Sequence, residues 1–464
     1  MISNYGASCI VYSQEYTIYY VSPSGSDTNT GTMDQPWQTP SYGVSQLVTG
    51  DTLFLLPGEY QLDSAIHFEI SGTEQSPITL TGQDAILNGA GLPSDFDNRD
   101  AIFVDHADNI IIENLVILNA PRSGLRISWS DHVSVTNSTF GNNGKWGIFS
   151  DFADYISIDS CETYGSGEEH GIYLSNSGDY PVVRNCLVHD NHASGIQFNA
   201  DPLMGGDGII SGGIVENNYV YHNGEGGGAA INFASVRNTI VQNNLLFDNL
   251  AGGIACWDDG NDGTAYGCKD NTFANNLVIF EEGYGRSALQ MIEGSTGNIA
   301  VNNILIAGDS GDYALELDTT SSVTSDYNIF YHLESEEIVW TGDDALSLNE
   351  WQDISFDTNS YSYAPSTLFV DYLGNDYHHV NDSSAIDVGT DSYAPTYDIE
   401  GTLRPYNGLF DIGPYEYSPF ASTDIPYSPT TSPVSPSSHD FTNLYLGITL
   451  LGFLCVAVWW HYRR

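Results

Sequence analysis

Apolar and polar positions alternate along most of this chain in short runs, and the runs repeat. IIIENLVIL, VSVTNSTF, PVVRNCLV, GIVENNYVY, TIVQNNLLF, NTFANNLVI and NIAVNNILI each set an asparagine among strand-forming residues. Taking the last asparagine as a marker gives Asn114, Asn137, Ser160 in the equivalent slot, then Asn185, Asn218, Asn244, Asn276, Asn303 and Asn328. The steps are 23, 23, 25, 33, 26, 32, 27 and 25 residues. A repeat of this length, built from short β-rich pieces, predicts a solenoid whose coils bury apolar surface by stacking on their neighbours. Asparagine at one turn position can then form a side-chain amide ladder along the stack. A leucine-rich repeat would need regularly spaced leucine, and a propeller would need longer antiparallel blades; neither pattern is present.

A second signature lies between the markers: GLRISW, WGIFSD, HGIYLSN, SGIQFNAD, AAINFAS, GGIACWDD, SALQMIE and YALELD. Strand side chains alternate between faces. Leu125, Ile148, Ile172, Ile196, Ile231, Ile254, Leu289 and Leu315 therefore form one inward column. Arg126, Phe149, Tyr173, Gln197, Asn232, Ala255, Gln290 and Glu316 form an outward one. A further outward row holds Ser128, Asp151, Ser175, Asn199, Ala234, Trp257, Ile292 and Asp318, and Trp146, His170 and Ser194 stand just before the strands. This outward face is more polar and aromatic than a plain β-surface.

The tail changes the picture. Leu444 to Trp460 is uncharged and apolar, and His461-Tyr462-Arg463-Arg464 follows it. That reads as one membrane-crossing helix with its basic end in the cytoplasm, so the bulk of the chain is expected on the extracellular face, held by a single-pass C-terminal anchor. A Pro/Ser/Thr-rich stalk precedes the helix. The expected organisation is a remnant N-terminus over 1–16, a cap and first coils over 17–99 and regular coils over 100–332. A closing module over 333–417, the stalk over 418–442, the helix over 443–460 and a tail over 461–464 complete it. MISNYGASCIVYSQEY lacks the apolar core of an export signal, so the source of export stays open.

Charge narrows the function. Sixty acidic residues stand against 11 basic ones, for a formal net charge of −49. Such a surface excludes nucleic acid as a partner and repels polyanionic glycans unless cations intervene. Six cysteines are present without a C-x-x-C pair, which argues against a zinc ribbon or thioredoxin-type centre. Cys161 and Cys186 directly follow Ser160 and Asn185 and should be neighbours on adjacent coils; whether they, or Cys256 and Cys268, are bonded is open.

The segment from Tyr20 to Gly91, with YVSPSGSDTNTGTMDQPWQTPSYGVSQLVTGDTLFLLPGEY and PITLTGQDAILNGAG, resembles the opening of secreted pectate-lyase-like and chondroitinase B-like β-helices. In those proteins it supplies a capping helix, here about residues 40–48, and the first coils. Residues 383–417, with Asp398, Gly401, Arg404-Pro405 and Asp411-Ile412-Gly413, resemble the closing module of bacterial and archaeal surface β-helix proteins. KWGIFSDFAD, EEHGIYLSNSGDYPVVRN, SGIQFNAD and GGDGIIS resemble extracellular right-handed β-helix proteins. The resemblance implies an all-β, right-handed parallel β-helix. The polygalacturonase pattern is not matched, because Asp258-Asp259 has no Gly-His-Gly beside it.

The two long coil steps mark insertions around 201–208 and 258–270. Both leave the same corner and bracket one coil, so they should flank a groove like walls roughly 10 Å apart. A Gly-rich excursion at 221–228 could let a ligand approach the backbone. Trp146, Gln197, Asn199, Asn232 and Trp257 suit a sugar, with aromatic faces for stacking and amides for hydroxyls. Asp201, Asp207, Asp258 and Asp262 could gather a calcium ion, although solvated loop acids are the blander reading. His170, Lys145, Tyr173 or Arg126 could act as base in a β-elimination, with the cation neutralising a uronate carboxylate. His170 has an equally plain reading as packing beside Trp146, and Arg126 could merely balance Asp151. The leading expectation is a monomeric cell-surface polysaccharide lyase. The alternatives are a non-catalytic glycan binder, adhesin or envelope protein, and a hydrolase using two carboxylates such as Asp201 and Asp258.

Overall fold

The computed structural model describes residues 16–260, 264–309, 311–406 and 408–419. The expected stalk beyond 419, the membrane helix and Asp262 lie outside them. Among the described residues no helix is long and apolar enough to cross a membrane.

The repeat folds as expected into stacked parallel coils. One face is a 12-stranded sheet containing every strand of the second signature. Its register joins Leu125, Ile148, Ile172, Ile196, Ile231, Ile254, Leu289 and Leu315 into one continuous column. Each of these side chains is essentially inaccessible to water. The other two faces form a 21-stranded sheet. They are joined at the start by two long strands, Ile78–Asn88 and Ile110–Leu118, which bend around the corner that later coils turn more sharply. A short helix, Pro40–Ser45, closes the N-terminal end over Val21 and Leu53, with proline pre-setting its first turn.

The asparagine series resolves into two adjacent columns. Asn114, Asn137, Ser160, Asn185, Asn217, Asn243, Asn275 and Asn302 adopt left-handed backbone angles and turn the chain between two faces. Asparagine tolerates that conformation better than other side-chain-bearing residues. The next residue of each coil points inside, and from Asn218 onward it too is asparagine. Asn218, Asn244, Asn276, Asn303 and Asn328 pass hydrogen bonds from Nδ2 to Oδ1 at 2.9, 2.9, 3.0 and 3.1 Å. The marker series therefore slips by one residue at Asn217-Asn218. Val182 pairs with Ile214, so the coil step is 32 residues and not 33. Further ladders at other corners, Asn191–Asn223–Asn249 and Asn271–Asn298, escaped the marker altogether.

Cys161 and Cys186 occupy the inner column before the ladder begins. They are neighbours on adjacent coils, with Leu187 N–H donating to the Cys161 carbonyl at 2.9 Å. The thiols are free, and so are Cys256 and Cys268. Cys161 and Cys186 donate to the carbonyls of Asp159 and Arg184 at 3.4 and 3.1 Å. Burial pushes the Cys161 thiol up to about 12 and Cys186 well above its ordinary value. Native protein at neutral pH should therefore leave these thiols unmodified by iodoacetamide, with labelling only after unfolding. Mass-spectrometric detection of alkyl groups at Cys161 in the folded state would contradict this packing.

The closing segment continues the 12-stranded sheet with Glu337–Trp340, then folds back along the flank of the coils. It uses the left-handed asparagines as anchor points. Asn243 donates to the Tyr397 carbonyl, Asn275 to those of Asp411 and Gly413, and Asn302 to that of Thr390. Arg404 is buried at its centre, 3.1 Å from Glu416 and bonded to the Gly413 carbonyl. The RP…DIG segment thus holds one guanidinium against the coil stack.

Candidate functional site

The strands Ile196–Asn199, Ala229–Ala234 and Gly252–Trp257 are consecutive neighbours in the 12-stranded sheet. The 201–208 and 258–270 segments leave their C-terminal ends at one corner, with the Asn232 coil between. Along the outward face runs a polar chain. Trp257 Nε1 donates to Asn232 Oδ1 at 2.9 Å, and Asn232 Nδ2 donates to Gln197 Oε1 at 2.7 Å. Ser194 Oγ also donates to Gln197, at 3.2 Å. These side chains fix one another's orientation before any ligand arrives.

Alternation carried past the strand ends selects which acids face the groove. Gln197, Asn199 and Asp201 share one parity; Ala255, Trp257 and Asp259 share the same one. Asp259 accordingly stands near Asp201, Asn199 and Tyr173. Burial, then the Asp201 charge, pushes its carboxyl up to about 6, with Asp258 and Glu293 adding to the rise and the Asn199 amide opposing it. Asn199 Oδ1 is buried and has no hydrogen-bond partner.

Asp258 is different. Its carboxylate accepts from the backbone N–H groups of Gly260 and Tyr266, so it clamps its own loop. This corrects the expected pairing of Asp201 with Asp258: the carboxyl beside Asp201 is Asp259. Asp207 is exposed and caps a local turn through Ile209 N–H at 3.0 Å. Among the described residues no three His, Cys, Asp or Glu side chains come together as a metal site.

The four expected bases are engaged to different degrees. Arg126 lies three coils from Gln197 along the sheet, between the rings of Phe96 and Phe103. His170 is mostly buried, not at the surface as its register position suggested. Its Nδ1 accepts from Ser194 N–H at 3.1 Å and Glu169 lies 3.3 Å from Nε2, which assigns the proton to Nε2. Burial, then the Lys145 charge, lowers its imidazole to about 3, so it stays neutral with its acceptor nitrogen occupied. Burial and the charges of Asp259, Glu169 and Asp201 push the Tyr173 phenol well up, so it keeps its proton and cannot serve as the base. The Lys145 side chain is one-third exposed, with its nitrogen 4.5 Å above the Trp146 ring and 3.7 Å from Glu169. Trp146 is buried among Arg122, Lys145 and Phe149 and offers no open face to a sugar. Trp257 remains partly exposed beside Asn232.

Comparison with known proteins follows the same division between frame and site. A family model described as the Pel9A-like, right handed beta helix region matches residues 19–164, which covers the cap and first coils and stops short of the groove. Pectate lyase PEL9 of Emericella nidulans is 38% identical over 96 residues, covering 20% of this chain and 23% of that protein. The match thus spans under a quarter of that relative. The uncharacterized protein YwoF of Bacillus subtilis is 25% identical over 385 residues, 77% of this chain and 76% of that one. Among solved structures, pectate lyase Pel9A superposes with a TM-score of 0.55 at 17% identity, over 87% of this chain and 96% of that one. A protein titled glycoside hydrolase gives a TM-score of 0.50 at 12% identity, over 70% of this chain and 95% of its own. The chain has the right-handed parallel β-helix fold.

Proposed function

We propose that this chain is a carbohydrate-active enzyme that cleaves an acidic polysaccharide by β-elimination in the groove between Asp201 and Asp259. One observation carries the reading: two carboxyls and the unpartnered Asn199 oxygen come together, and the charges acting on Asp259 are Asp201, Asp258 and Glu293. Oxygen donors of this kind suit a hard cation such as calcium. Bound there, it would neutralise a uronate carboxylate and so favour loss of the C5 proton. Gln197, Asn232 and Trp257 orient the sugar through their fixed chain of hydrogen bonds. Tyr173 donates to a sugar oxygen. The likeness to pectate lyases supports this choice of reaction. The same reading places the protein at the outer face of a cell membrane, on the anchor over 443–460.

A second reading has its own support. Asp259, raised to about 6 beside Asp201, suits the acid of a two-carboxylate hydrolysis, with Asp201 as its partner. Incubating the full chain with a panel of acidic and neutral polysaccharides, with calcium and with a chelator, separates the two. Elimination yields the ultraviolet absorbance of an unsaturated uronate and stops with chelator. Reducing ends without that absorbance favour hydrolysis. Binding without cleavage of any polysaccharide would leave a glycan-binding surface protein.

A further inference from the structure

The chain carries 11 basic residues against 60 acidic ones, yet four of them, Arg99, Arg122, Arg126 and Lys145, gather on the first coils of the outward face. Phe103, Arg126, Phe149 and Tyr173 are successive partners in one row of the 12-stranded sheet. The cations interleave with aromatic rings. Arg126 lies 4.6 Å from the Phe103 ring and 4.9 Å from that of Phe96, which Arg99 also approaches to 4.9 Å. Arg122 stands 4.6 Å from Trp146 and 5.0 Å from Phe149.

Three of the four cations have an acid beside them, and Arg99 has none among the ion pairs of the described residues. Asp100 takes Arg122 at 3.1 Å, and Glu169 is 3.7 Å from Lys145. Arg126 is only 8% exposed, donates from Nε to Ser128 Oγ, and has Asp151 no closer than 3.7 Å. Arg126 Nη1, Arg99 Nε and Trp146 Nε1 are buried donors without a hydrogen-bond partner. Each such orphan costs roughly 1–3 kcal/mol, so an acceptor that reached these donors would be held. The ring of Phe96, itself 56% exposed, lies over both Arg99 and Arg126.

We propose that this cluster is a subsite for the carboxylate of an acidic sugar unit, with Phe96 as the lid that the sugar displaces. A carboxylate meets a guanidinium fork through paired hydrogen bonds, and it would supply acceptors to the orphan donors. The Arg126 strand lies three strand spacings before Ile196–Asn199, so the subsite stands roughly 14 Å from the groove on the same face. It gathers cations on a chain that otherwise repels a polyanion. The inference rests on the proposed polysaccharide substrate, not on the reaction assigned to it.

The test is equilibrium binding to the full chain of an oligogalacturonate, a neutral oligosaccharide of equal length and a sulfated one, at low and high salt and with chelator present. The oligogalacturonate should bind best and weaken with salt. Arg126→Gln should lower its affinity by about tenfold or more, as expected for loss of a charge-assisted pair. Arg99→Gln, at a half-buried loop position, tests the same point should Arg126→Gln fail to fold. Phe96→Ala, which removes an exposed ring, should tighten binding. Repeating the titration on the Asp259→Asn chain separates this subsite from the reaction, because the arginine dependence should persist there whatever happens to turnover. Unchanged affinity in both arginine variants, equal binding of the neutral sugar, no oligogalacturonate binding, or preference for the sulfated sugar would each overturn the assignment.

Discussion

Replacing Asn218 by alanine is expected to destabilise the protein by about 4 kcal/mol, while Asn217→Gly, one residue away, should change stability by less than about 1 kcal/mol. Asn218 is fully buried. Its Nδ2 donates to the Val183 carbonyl at 3.0 Å and to Asn244 Oδ1 at 2.9 Å, and its Oδ1 accepts from Cys186 N–H at 3.0 Å. Alanine strands the Cys186 donor and the Val183 acceptor where water cannot replace them. It also breaks the ladder at its first rung, where hydrogen bonds reinforce one another. Asn217 faces outward with a left-handed φ of 56°, a conformation glycine adopts freely, and its contact to Asn185 is long at 3.4 Å. Urea unfolding of the two variants measures the contrast. Equal losses would mean that the side chains are not divided between interior and corner as described.

Asp259→Asn is expected to lower turnover by on the order of 10²–10⁴-fold while leaving the fold intact. The carboxyl lies on the groove side of the loop, whereas the loop itself is clamped by Asp258. The sign of its effect on stability can be worked out. A folded-state value of about 6 exceeds the unfolded one, so the folded protein holds the proton more tightly and loses stability as pH rises through about 6. Asparagine removes that loss, and the variant should melt no lower than the parent at pH 8. The pH dependence of the rate also tells the two chemistries apart. If Asp259 must be ionised to hold a cation, activity rises as pH passes through about 6; if it is a proton donor in hydrolysis, activity falls over the same range. Turnover undiminished in Asp259→Asn would move the reacting centre elsewhere.

The frame of this protein was legible in its sequence because its information is local. Strand alternation has a period of two and each coil repeats its neighbour, so Ile148, Ile172 and Ile196 could be assigned to one buried column by counting. The same arithmetic located the corner from which both long segments leave. Read from the sequence, the acid is Asp258; only in the folded chain does alternation carried two residues beyond Trp257 select Asp259 as the outward one. Counting failed where two like residues stand side by side. Asn217 and Asn218 differ only in which one the left-handed turn sends inward, and a slip of one residue exchanges interior for surface.

Chemistry at the site depended on contacts between coils, which no local pattern encodes. His170 could be a base by residue type, but the Ser194 backbone occupies its acceptor nitrogen and burial keeps it neutral. Arg126 is drawn away by Phe96 and Phe103, residues that come from the loop before it and the preceding coil. The sequence by itself determined a β-helix, its inward column and the corner bearing the groove, because periodic burial of apolar side chains leaves one arrangement that satisfies them all. Only the tertiary structure decided which polar groups stand free, which are clamped and which have their proton affinity shifted, because those properties follow from desolvation and neighbouring charge at distances set by stacking.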